Sequence, residues 1–494
     1  MKTILLTISL FSLCMPPLFA QKSYSREAML EDFRYMKKAL QQCHPGLYRY
    51  QSRAQIDSLF NATEAGIGES MSLYEGFALF SRLTSAIRCA HTVLTPQENW
   101  MDLFFQEVRH FPYQVFFIGD KAYLTVNRTR DKTIKPGAEL LSINSMPADS
   151  IRQRLFRHLP ADGYNQTLKA WQIDNLMFSY YYYLLIGRPD AFVIRYRDLD
   201  GAIHEHLSPA LGTREIDKNT HKNPVNRAIL SHYPRKKPQR FEIDPVRGIA
   251  VLTLREFFGG DGASARRQLR EYLEHCMQQM SQQKIRHLVV DLRNNSGGYD
   301  SQGQELLSWF ITRPVPYYQR LHTITRDSEF LQYSTVPKAT LARLDKILTP
   351  ETDGTFTINE AANTGLQKIQ PAAAAFTGKV YFVVNGATGS ATAEFTAVAK
   401  ANGTGTFIGE ETGGGYEGGN GNEFVGIKLP QTKMKLTIPL VYYHMAVGTP
   451  ARPGRGTIPD YFVTYMLEDV MTGKDPYLEY VYRLVRAERE PAGN

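Results

Sequence analysis

Apolar residues recur at alternating spacings of four and three from Met29 through Phe33, Met36 and Leu40 to Cys43, which places them on one face of an amphipathic helix over residues 25–43, ended by Pro45 and Gly46. The pattern returns over residues 72–88. There Leu73, Phe77, Phe80 and Ile87 form a stripe, and Ser72 with Glu75 has the spacing of a capping box. From Phe111 the period shortens to that of strands, with 113–118 and 122–126 as the first two. Residues 211–240, with Lys218, Asn219, Lys222, Asn223, Pro224, Pro234 and Pro238, read as a polar linker. Beyond it strands (249–254, 288–291, 379–384, 406–409) alternate with helices (264–282 and 391–401), the signature of an α/β domain. Residues 313–371 are weakly patterned and read as an excursion from that core.

These changes of period predict a multidomain α/β protein: a helical N-terminal domain over 21–100, a β-rich domain over 101–212, a linker over 213–240, an α/β domain over 241–475 and a tail over 476–494. Its 494 residues exceed what one core usually holds. Composition then excludes several classes. With 43% hydrophobic and 21% charged residues the chain is not of disordered type. Its net charge of +8 is dispersed except at Arg235, Lys236 and Lys237, so no nucleic-acid groove is expected.

Residues 1–20 read as a secretory signal, with Lys2 before the apolar run 4–11 and Ala20 ahead of a cleavage at Gln21. Export to a periplasm or to the outside follows from that reading. Cys14 invites lipidation, but Leu13 stands where a small residue would be expected. No later run reaches the ~18 apolar residues of a membrane span. Removing the signal leaves Cys43, Cys89 and Cys276; either Cys43 and Cys89 are bridged or all three are reduced and buried. Histidines and cysteines show no metal-ligand spacing, and neither a metal nor a cofactor is expected.

The chemistry concentrates in two loops. In residues 383–394 an apolar strand enters a Gly-rich turn, and Ser390 stands where a helix of small residues begins. A helix start offers free amides, so the N–H of Ala391 suits an oxyanion and Ser390 suits a nucleophile; an N-cap serine is the alternative. In residues 289–298 a second buried strand, ending in Asp291, Leu292, Arg293, Asn294 and Asn295, leads to Gly297 and Gly298, whose amides can lie bare beside a substrate. Glycine-rich residues 413–421, with Tyr416, Glu417 and Asn420, lack phosphate-loop spacing and read as a mobile loop over the site.

Together with Gly409, Glu410, Glu411, Thr412, Gly413 and Gly414, and with Arg455, Gly456, Thr457, Ile458, Pro459 and Asp460, these loops resemble the tail-specific, or C-terminal processing, serine peptidases and their tricorn-like relatives. The resemblance implies a crotonase-like α/β core, a polypeptide substrate and a second oxyanion donor at Gly298 or Gly297. Residues 134–144 likewise resemble the carboxylate-binding region of a PDZ-like domain, which would hold an extended peptide at a sheet edge. In the processing branch the base is a lysine, but Gly415 occupies its place. In the tricorn-like branch it is a histidine, and His91, within Cys89, Ala90, His91 and Thr92, matches that motif; His444 is the competitor. The glutamate that supports this histidine in the family has no counterpart at Pro453 and Gly454, which leaves Glu394, Glu410 and Glu411 as candidate orienters. A peptide-binding protein of the same fold without useful catalysis, or an esterase or amidase, is the alternative function. Oligomeric state is not legible.

Overall fold

The computed structural model describes residues 22–174, 177–232, 237–260 and 262–489; the expected signal, Cys14, Arg235 and Lys236 lie outside them. Every residue of the strand Ile249–Leu254 is buried, as are all but the first of His287–Asp291 and Lys379–Val384. Such runs need cover on both faces, the condition of a parallel sheet. They lie side by side in the order Gln239–Asp244, Ile249–Leu254, His287–Asp291, Lys379–Val384, Thr406–Gly409, Tyr461–Phe462, all parallel except the first.

The two-residue period sorts the side chains of this sheet. Ile249, Val251, Val289, Tyr381, Val383 and Ile408 pack with Tyr477, Val481 and Val485 of the helix Pro476–Arg489. Ala250, Leu252, Leu288, Val290, Phe382 and Val384 join the main core with Leu269 and Leu273 of the helix Gly262–Gln282 and Phe395 of the helix Ser390–Ala401. The stretch expected as a tail is therefore, through Arg489, a structural layer. It is tied down further by Arg293, buried and paired with both Asp291 (2.8 Å) and Asp475 (2.7 Å).

The weakly patterned excursion has a fold of its own. It contributes Tyr318–Thr323, Leu348–Pro350 and Phe356–Ile358 to a second, antiparallel sheet completed by the hairpin Gly418–Lys428 and Lys435–Met445. Residues 418–421, expected in a mobile loop, are thus buried strand, because Gly418–Gly421 pair with Val441–His444.

Against this hairpin stand the N-terminal helices Arg26–Cys43, Arg53–Ala65 and Leu73–Ile87, the last with the Ser72–Glu75 capping box in place. They do not form a separate unit. Val93–Thr95 adds a strand to the hairpin at Lys435–Thr437, and the buried carboxylate of Asp32 accepts the amides of Gln431 (2.7 Å) and Thr432 (2.8 Å) at its turn. Both helices and hairpin share one hydrophobic core.

A third sheet, ordered Ile203–Pro209, Ala191–Arg197, Ala138–Ile143, Lys121–Asn127, Tyr113–Ile118, forms the β-rich region. Its edge strand Tyr113–Ile118 is bordered by the helix Thr167–Asp174, whose Asp174 Oδ1 accepts the Phe117 amide at 2.9 Å. The segment read as a linker contains the helices Thr213–Lys222 and Arg227–His232. The Cys43–Cys89 bridge is not formed: all three described cysteines are free and buried, with Cys43 Sγ beside Ser328 Oγ and Cys89 Sγ accepting from Asn420 Nδ2, each at 3.6 Å.

Candidate active site

Ser390 follows the strand Lys379–Val384 through a five-residue turn and opens the helix Ser390–Ala401. Its φ is +46°, a region that a residue with a Cβ enters only at a cost of about 1–3 kcal/mol. The helix is N-capped by Gly389, so Ser390 does not serve as the cap. No hydrogen-bond partner of its hydroxyl is found among the described residues, and the residue is half-buried.

What forces this geometry is the neighbouring loop. Asn295 accepts from Thr392 Oγ1 (2.8 Å) and from the Gly297 amide (3.0 Å) through its side-chain oxygen, and its backbone oxygen accepts the Gly389 amide (3.1 Å). Thr388 Oγ1 donates to Leu292 O (3.1 Å), and the Asn294 amide donates to Asn385 Oδ1 (3.0 Å). The Asp-Leu-Arg-Asn-Asn run therefore does structural work around the serine: Asp291 and Arg293 anchor the strand end, and Asn295 clasps the two loops.

Gly297, with φ +107°, lies directly against the serine; a Cβ there would stand 2.6 Å from Ser390 Cβ. Its amide is committed to Asn295. The Gly298 and Ala391 amides find no acceptor among the described residues, and Gly298 is exposed. Two unclaimed N–H groups thus stand near an unclaimed hydroxyl.

His91 follows the helix Leu73–Ile87 on a segment held from three sides. His44 Nδ1 accepts the Gly46 amide (3.1 Å), which leaves Nε2–H to donate to Thr92 Oγ1 (2.8 Å). Asn420 holds Cys89, and Asp162 Oδ1 accepts the Ala90 amide at 2.8 Å. The His91 ring lies 5.9 Å from that of Phe424, and its Nδ1 is buried without a hydrogen-bond partner among the described residues. Burial lowers its pKa below the ordinary histidine value, opposed by the charge of Asp162, so the imidazole is neutral at pH 7.

The remaining sequence-derived candidates go elsewhere. Glu411 is buried against Arg455 and the Gly456 amide, and Glu410 accepts from Thr464 Oγ1 (3.0 Å). Glu394 is buried with Tyr318, whose hydroxyl donates to it at 2.6 Å; burial and then Asp300 raise its pKa to about 8. His444 is stacked on Tyr442 and lies 3.2 Å from His322 Nδ1. Gly415 has no room for a lysine, because a Cβ would run into the Gly418 carbonyl. Asp162 escaped the sequence reading; it sits in an unpatterned turn, and only its proximity to His91 marks it.

A cavity of about 1200 Å³ opens between the third sheet and the C-terminal ends of the parallel strands. Phe116, Phe117, Trp171, Asn294, Asn385 and Arg255 line it. Trp171 donates to Asn294 (2.9 Å), joining the cavity wall to the serine's supporting loop.

Residues 248–461 match the model of peptidase family S41. Among curated proteins none matches the chain. Solved structures share its overall architecture: a CPAF mutant, at 14% identity over 95% of this chain and 99% of that one, with a TM-score of 0.64; mature CPAF, at 14% over 93% and 97%, with 0.62; and mature CPAF complexed with lactacystin, at 15% over 94% and 98%, with 0.62. At such identities the likeness is one of fold.

Proposed function

Because the chain belongs to peptidase family S41 through residues 248–461, we propose that it is an exported serine peptidase that hydrolyses unfolded or extended polypeptides through an acyl-enzyme at Ser390. The observation that carries this reading is the serine itself: a non-glycine residue held at φ +46°, its hydroxyl without a partner among the described residues, beside the amides of Gly298 and Ala391, likewise uncommitted there.

In the proposed reaction His91 takes the proton from Ser390 Oγ as the oxygen attacks the scissile carbonyl carbon. The amides of Gly298 and Ala391 receive the developing oxyanion, in preference to Gly297, whose amide is already engaged. Collapse of the tetrahedral intermediate expels the amine, which leaves with the proton from His91. Water then attacks the ester, His91 again serving as base, and the acid is released. The cavity bordered by the edge strand Tyr113–Ile118 is large enough for part of an extended chain, and Asn294 and Asn385, from the loops that support the serine, line part of it, while Ser390 and His91 lie outside its lining.

The test is cleavage of reduced casein by wild type, Ser390→Ala and His91→Ala, with fluorophosphonate labelling alongside. Wild type is expected to cut, and both variants to lose at least about 10³-fold. Labelling with ester turnover but no proteolysis would favour an esterase, and no labelling with retained peptide binding would favour a binding protein. Loss in Ser390→Ala alone would show that His91 is not the base.

A further inference from the structure

Among the buried groups that the proposed reaction leaves unused, one carboxylate stands beside the histidine. We propose that Asp162 is the positioning residue of His91, holding the imidazole by two routes, through the backbone of Ala90 and through the ring's Nδ1–H. The inference rests on the Ser390–His91 reading and adds the third member that the sequence motif lacks.

Three observations carry it. Asp162 is 5% exposed, and its Oδ1 accepts the Ala90 amide at 2.8 Å, immediately before the histidine. The second oxygen has no hydrogen bond to any described residue; it turns toward Gly419, 3.5 Å from where a Cβ on that glycine would lie. His91 Nδ1 is buried and unpaired among the described residues, which costs about 1–3 kcal/mol unless an acceptor is supplied. In the proposed arrangement this orphaned ring nitrogen is joined to this spare carboxylate oxygen, on adjoining segments already held together by the Ala90 amide.

The surroundings agree. The loop bearing Asp162 is pinned on both sides, by the Gly163 amide to Arg88 O (3.0 Å) and the Tyr164 amide to Gly454 O (2.8 Å). Its carboxylate also acts on Arg49, Tyr50, Cys89 and Tyr443, which pack around it. Arg49 is itself taken by Glu417 and the Gly418 carbonyl, so it does not neutralise Asp162 by direct pairing. When His91 accepts the Ser390 proton at Nε2, its Nδ1–H stays on the ring and is stabilised by the carboxylate.

The test uses the full chain and the pH dependence of fluorophosphonate labelling at Ser390. Asp162→Asn keeps an oxygen for the Ala90 amide and removes the charge. It is expected to slow labelling by about 10²–10⁴-fold, to move the acid limb to lower pH and to lower kcat with KM little changed; Asp162→Glu should recover part of the rate. A structural role alone would leave the acid limb in place. Wild-type labelling with an unchanged rate and profile in Asp162→Asn overturns the inference while leaving the Ser390–His91 reading intact; no labelling of wild type overturns both. Should the variants not fold, the wild-type chain still decides. After labelling and acidification it should show a far-downfield imidazolium Nδ1 proton that His91→Gln lacks, and its absence would count against Asp162.

Discussion

At the scale of single residues the site is built by commitment: groups given to structural partners are removed from chemistry, and those left over define it. Gly297 N–H goes to Asn295, Glu411 to Arg455 and His444 to His322, while Ser390 Oγ and the Gly298 and Ala391 amides stay free among the described residues. Glu394 shows how far burial takes a carboxyl. With its pKa near 8 it holds a proton in the folded chain that it has lost, above about pH 4.5, in the unfolded one. Its contribution to stability is therefore full below pH 4.5 and disappears as pH rises toward 8. Relative to wild type, Glu394→Gln should gain stability across this window, by up to about 1.4 kcal/mol per pH unit. Urea midpoints at pH 5 and pH 8 measure the difference, and an equal offset at both would contradict the assignment.

At the scale of elements, the N-terminal segment that leads to His91 is docked on the hairpin. The helix Arg26–Cys43 is locked to the hairpin turn by Asp32, which answers two backbone amides and the Thr432 hydroxyl (2.5 Å). Asp32→Ala leaves those donors buried and unpaired, and should cost about 3 kcal/mol. Because the same helical layer leads to His91, activity should be lost at a lower urea concentration than the parallel sheet melts, which near-ultraviolet circular dichroism and labelling followed together will reveal. Coincident transitions in the variant would show that the layer does not yield separately. The elements themselves were legible. The stripes from Met29 to Cys43 and from Phe77 to Ile87 are the buried faces of their helices, and strands 249–254, 379–384 and 406–409 stand where the apolar runs lie. The excursion 313–371 was not, since its short strands are completed by the distant hairpin rather than by their own pattern.

At the scale of the whole molecule the expected domains merge. Core residues from the N-terminal helices, the third sheet and the α/β region form one cluster. A fragment beginning at residue 237 would expose the hairpin strand that Val93–Thr95 covers and would lack His91. It should be poorly soluble or loosely packed and unreactive toward fluorophosphonate, and a soluble, reactive fragment would show that the serine needs no histidine from outside. The amino-acid sequence by itself determined the parallel strands, the turn that carries Ser390 and the clasp motif ending in Gly298, because local hydrophobic period, glycine and small-residue spacing act within a few residues. Tertiary structure decided the rest. Whether Ser390 caps a helix or is strained, which glycine amide stays free, which partners three glutamates take and that Asp162 stands by His91 depend on contacts between segments tens to hundreds of residues apart, which no local pattern encodes.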